Sequence, residues 1–174
     1  MNQLGYTYID ESLPERGNYS LTMAFYKGQQ PEYVESPGNY REYRTVICRD
    51  AGVLLCGSHF PYESDEMFLT YMLKFIQANQ IGDILLIGDL NANDPTRGNK
   101  KMVNNLLQGG TMIDLWTAAG NAENTPTEAG HRGRLDYAIA SISLAKNVQS
   151  IEIDSFPMDS GMTDHAAIIV DILR

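Results

Sequence analysis

His59, Asp89, Asn91, Asp136, Asp164 and His165 are the side chains whose types and spacing could do chemistry. Asp89 and Asn91 are two apart, so an extended backbone points them the same way. A carboxylate and an amide aimed into one cleft suit a divalent cation and a phosphate oxygen. A plain turn also accounts for them, because Asx residues and glycine commonly end strands. The chain has three histidines, and two of them, His59 and His165, fall at strand–loop junctions. An imidazole held by a carboxylate is the usual base for activating water, or acid for a leaving oxygen. A single histidine at a strand end is ordinarily structural; two, each near a carboxylate, favour chemistry. His131 lies in a polar loop and is read as structural, with no part in the chemistry.

The elements that must position these groups are legible from pattern. Ile84 to Ile87 is an apolar run ended by Gly88, a strand buried on both faces. In an open α/β sheet, ligands gather at the carboxyl end of such a strand. Tyr43–Arg49 and Val53–Ser58 flank Asp50-Ala51-Gly52 and predict a hairpin ending at His59. Glu63–Asn79 carries the apolar spacing of an amphipathic helix, with Ser64 as its expected N-cap. Lys100–Leu107 predicts a short helix stopped by Gly109-Gly110. Met112–Trp116 starts either a strand or a helix. Arg134–Ser141, Val148–Ile153 and Ala166–Leu173 predict strands, and residues 4–9 and 19–27 two more. Residues 10–18, 28–39, 120–132 and 156–162 predict loops.

Composition sets the outer bounds. The chain has 174 residues, enough for one domain spanning 1–174 with a real core. No apolar run approaches a membrane span and no secretory signal is visible, so no membrane partner is expected. Cys48 and Cys56 sit in apolar strands, where reduced, buried thiols are expected. These points favour the cytoplasm. A net charge of −9 argues against a broad basic surface for gripping nucleic acid. It does not exclude a metal-dependent phosphoesterase, where clustered carboxylates are expected and the cation reverses the local sign.

GDLNA at 88–92, RLDYAIAS at 134–141 and TDHAAI at 163–168 resemble three ordered motifs of the endonuclease/exonuclease/phosphatase superfamily, the deoxyribonuclease-I-like fold. VLLCGSHFP at 53–61 resembles its strand-plus-histidine motif. The match covers about residues 43–172. The resemblance implies an α/β fold, a four-layer sandwich of two packed mixed β-sheets with flanking helices. It implies hydrolysis of a phosphoester with Mg²⁺ or Mn²⁺, on nucleic acid, a nucleotide or another phosphoester. His165 would act on the attacking water, with Asp164 a metal ligand and Asp89 beside the metal, orienting the reacting groups. Asn91 would hydrogen-bond the phosphate, and His59 would contact the phosphate or leaving group, its ring held by Asp136. The competing partner for Asp136 is Arg132 or Arg134. One departure matters: the family's opening strand–helix–strand, with an asparagine and a metal-binding Gln-Glu, has no match here, and Glu11 is not promoted to that role. The expectation is therefore an N-terminally truncated domain with weakened metal binding. A homodimer or partner chain would cover the gap. The alternatives are a catalytically inactive binding or regulatory protein retaining the fold, or a fragment.

Overall fold

A computed structural model describes residues 4–11, 22–35, 44–130 and 133–173. The chain opens with β1 (Thr7–Glu11), β2 (Met23–Tyr26) and β3 (Glu32–Val34). The hairpin β4 (Thr45–Asp50) and β5 (Val53–Ser58) leads through α1 (Glu66–Asn79) to β6 (Ile84–Asp89). Next come α2 (Gly98–Gln108), β7 (Met112–Asp114), α3 (Leu115–Ala118) and β8 (Asp136–Ser141). The chain closes with α4 (Ile142–Ala145), β9 (Val148–Asp154), α5 (Phe156–Asp159) and β10 (Ala167–Ile172).

The hairpin forms because Ala51 and Gly52 take φ of 49° and 86°, the left-handed pair that matches strand twist. The α1 crossover then lays β6 parallel to β5. β8 adds to β6 antiparallel, giving a six-stranded mixed sheet of order β3-β4-β5-β6-β8-β7. One face carries Ile47, Leu54, Cys56, Ile84, Leu86 and Ile139, and it packs on Phe68, Met72 and Ile76 of α1 and Met102, Val103 and Leu106 of α2. The other face carries Leu85, Ala138 and Ala140, and it packs on Leu115, Leu144 and the half-buried Ile151, Ile168 and Val170. Those last three belong to an antiparallel pair, β9–β10; a second antiparallel pair is β1–β2. The architecture is an α/β sandwich of two β layers with flanking helices.

Several local expectations are corrected. The α1 cap is Asp65, whose carboxylate accepts from the Phe68 N–H at 3.0 Å; Ser64 instead accepts from Asn99 N–H at 3.3 Å. Residues 32–34, expected to be irregular, pair as an edge strand with β4. Residues 156–159, expected as loop, form one helical turn with Pro157 near its start, where the ring fits. Met112–Trp116 supplies both a strand and the start of α3. Residues 12–21, 36–43, 131 and 132 lie outside the described set, including His131, Arg132 and most of the loop at 10–18.

Candidate active site

β6 delivers the central carboxylate. Gly88 has φ of +136°, and a Cβ there would stand 2.2 Å from the Ser58 carbonyl oxygen, so only glycine lets β6 run this close to β5. The strand stays attached beyond its end: Phe60 N–H donates to Asp89 O at 2.8 Å, and Leu90 N–H to Leu135 O at 3.0 Å. Asn91 then turns left-handed, with φ of 48°. The backbone is therefore not extended from Asp89 to Asn91. The turn lets Asn91 N–H donate to Asp89 Oδ1 at 2.8 Å and its Nδ2 to Asp89 Oδ2 at 3.1 Å. Nδ2 also donates to Phe60 O at 2.9 Å. Both amide protons are thus engaged in holding the loop, where the resemblance had placed a phosphate contact. The turn reading is realised, and both side chains line the same pocket.

Antiparallel pairing puts Asp136 of β8 directly opposite Asp89. Two like charges in register repel, and something must offset them. His165 does: its Nδ1 lies 2.8 Å from Asp136 Oδ2, and its Nε2 lies 4.0 Å from Asp89 Oδ2. An ionised carboxylate can only accept, so Nδ1 carries the proton and Nε2 faces the cleft. His59 Nε2 approaches the same Asp89 oxygen at 3.5 Å. The expected Asp136–His59 pair is overturned: Asp136 serves His165, and His59 faces Asp89. The Arg134 alternative is also set aside, because Arg134 forms a buried bidentate pair with Asp114. Burial, reinforced by Asp136, pushes the Asp89 carboxyl up to about 6. The Asp136 hydrogen bond raises the His165 ring to about 9 against the opposing effect of its partial burial.

These groups share one open pocket of about 630 Å³, lined by His59, Asp89, Asn91, Asp136, Asp164 and His165, with Ser58 and Thr163. Asp164 is exposed at its rim.

Supporting residues that sequence reasoning missed hold the pieces together. Thr127 is fully buried, and its hydroxyl accepts from the N–H groups of Leu135 and Asp136 at 2.9 and 3.1 Å. Its carbonyl accepts from Ala166 N–H at 2.9 Å, while Ala129 N–H donates to Asp164 O at 2.9 Å. One strap of the 120–130 loop therefore braces both halves of the Asp136–His165 pair. Asn99, fully buried at the start of α2, donates to Pro61 O at 2.8 Å and fixes the segment after His59. Asn99 falls just ahead of the predicted helix, Lys100–Leu107, and neither it nor Thr127 is singled out from the sequence.

The fold is deoxyribonuclease-I-like, as its likeness to solved structures shows. An AP endonuclease from Archaeoglobus fulgidus superposes with a TM-score of 0.76 at 15% identity, over 98% of this chain and 80% of that one. The 3′ phosphatase NExo from Neisseria, bound to product DNA hairpin, superposes with a TM-score of 0.71 at 15% identity, over 99% and 81%. The endonuclease domain of TRAS1, a telomere-specific non-LTR retrotransposon, gives 0.69 at 13% identity, over 98% and 81%. No family model and no curated protein matches the sequence.

Proposed function

We propose that this chain is a cytoplasmic, single-domain, divalent-metal-dependent phosphoesterase acting on nucleic acid. The observation that carries the reading is the Asp136–His165 pair at 2.8 Å, set beside Asp89 with His59 on its other side. His165 Nε2 exchanges a proton with the attacking water. Asp136 fixes its tautomer and Thr127 fixes Asp136. His59 meets the phosphate or the leaving oxygen from the opposite side. Asn91 holds Asp89 in place.

The donor set fits a cation held mostly by water and substrate. Among the described residues no cluster of three or more His, Cys, Asp or Glu side chains could cage a metal. Mg²⁺ needs no such cage; one or two carboxylates suffice, and Asp89 and Asp164 would supply them. Burial and, after it, the nearby Asp136 raise the Asp89 carboxyl, and a cation beside it would favour the charged form. Mg²⁺ or Mn²⁺ would neutralise the phosphate and oppose the charge on the His165 ring, favouring its proton-accepting form.

A nucleic acid substrate is favoured by the AP endonuclease and the DNA-bound 3′ phosphatase among the structural neighbours. The test is hydrolysis of an abasic-site duplex and a 3′-phosphorylated hairpin with Mg²⁺ or Mn²⁺, compared with His165→Ala. Metal-dependent turnover lost in the variant is expected. DNA binding without turnover would favour the inactive binding protein.

A further inference from the structure

The loop leaving β5 carries an aromatic ring with no part in the proton chemistry. Phe60 and Pro61 are buried, whereas Tyr62 is 52% exposed. A single exposed tyrosine is ordinary. This one lines the same open pocket as His59, Asp89 and His165, and a cation is stacked on it. The guanidinium of Arg97 lies over the ring, 4.3 Å from its centre. Arg97 comes from a different loop, the one between β6 and α2, where it caps the helix start. Three contacts hold its side chain. Nη1 donates to the Tyr62 carbonyl at 2.9 Å, Nε stands 3.5 Å from Asp94 Oδ2, and the guanidinium carbon covers the ring. Asp94 is itself fixed, because its Oδ1 accepts from the Thr96 N–H at 2.8 Å and from the Thr96 hydroxyl at 2.7 Å. Ordering a long surface side chain costs entropy, so three anchors make a pre-built arrangement. A brace between two loops explains the hydrogen bond to the carbonyl. It does not call for an aromatic ring at the mouth of a pocket.

A tyrosine ring backed by a cation is a flat π surface, and every base can stack on such a surface. A base inside a duplex is already stacked and offers only its edges; an unpaired base offers its face. Stacking also needs no phosphate neutralisation. It therefore works beside Asp89, Asp136 and Asp164, and on a chain of net charge −9. Resting on the phosphoesterase reading, we propose that Tyr62 is a specificity-determining residue. Its ring, held by Arg97, stacks on an unpaired nucleobase next to the reacting phosphate. The site thereby selects nucleotides outside a duplex (single strands, flaps and frayed ends) over paired ones.

The probes are single-stranded thymidine oligonucleotides of about five nucleotides, with one 2-aminopurine on the 5′ or the 3′ side of the central phosphate. Ca²⁺ replaces Mg²⁺, so that binding is read without turnover. Stacking on an aromatic ring quenches 2-aminopurine fluorescence, and saturable quenching of at least one probe is expected. Tyr62→Leu keeps apolar bulk under Arg97 but has no π face. It should lose the quenching and weaken binding about tenfold, whereas Tyr62→Phe should keep both. Placing the same bases in a hairpin stem should weaken binding by a similar factor. No quenching by the native chain, equal quenching by Tyr62→Leu, loss of quenching in Tyr62→Phe, or a stem bound as tightly as the single strand would each overturn the proposal. Turnover is a separate readout. A chain that quenches the probe but hydrolyses no phosphoester with Mg²⁺ or Mn²⁺ would sink the phosphoesterase reading and leave the stacking site standing.

Discussion

The Asp136 carboxylate lies 2.8 Å from the His165 ring, so each residue depends on the other. His165→Ala removes the proton acceptor and should lower hydrolysis about 10²–10⁴-fold, measured as single-turnover rate on a labelled hairpin. Asp136→Asn keeps the shape but cannot hold the ring's charge, and its loss should approach that of His165→Ala. Asp89 and His165 both shift stability with pH. Its carboxyl stands at about 6 when folded against an ordinary 3.8, so the fold favours the protonated form. His165 stands at about 9 against 6.5, so the fold also favours its protonated form. Both signs agree. The His165 contribution is complete below about 6.5 and fades as pH rises through about 9. The Asp89 penalty appears as pH rises from 3.8 through about 6. In EDTA, the melting temperature should fall between pH 6.5 and 9.5, and Asp89→Asn should raise it at pH 7 by ~3 °C while abolishing activity. A lower melting temperature for Asp89→Asn would show that its bonds from Asn91 outweigh the repulsion.

At the scale of elements, what the sequence made legible is what local pattern controls. The buried run before Gly88, the Ala51-Gly52 turn and the stripe of α1 each carry their signal within a few residues. The same pattern placed His59, Asp89, Asp136 and His165 at or near strand ends. It did not say which imidazole meets Asp136, because that follows from β8 lying antiparallel to β6 and from the path of residues 127–129. The Thr127 brace and the Arg134–Asp114 pair are likewise long-range. The choice of Asp65 over Ser64 was a near miss between adjacent capping residues, decided by Ser64 facing α2. Gly88 gives this scale its test. Gly88→Ala must place a methyl against the Ser58 carbonyl at a backbone angle that alanine rarely adopts. It should destabilise the chain by about 2–4 kcal/mol in urea unfolding, through strain and a separated β5–β6 pair. Activity should fall further than stability alone dictates, because His59 and Asp89 lie on either side of that contact.

Charge decides behaviour at the scale of the whole molecule. The chain carries 13 Lys and Arg against 22 Asp and Glu. Nucleic-acid binding is largely phosphate neutralisation, and six to ten such contacts cost about 10³–10⁵ in affinity between 50 and 200 mM salt. A chain this acidic cannot make many of them. On the proposed function, its hold on a substrate would come from the site itself, through the cation, His59 and His165. The Michaelis constant on a hairpin substrate should therefore rise less than about tenfold over the same salt range, corresponding to one or two phosphate contacts. It should depend much more on Mg²⁺ than on NaCl. Shortening the duplex away from the reacting phosphate should change it little. A steep salt slope would reveal a basic surface elsewhere on the chain and shift the basis of recognition from the site to the duplex.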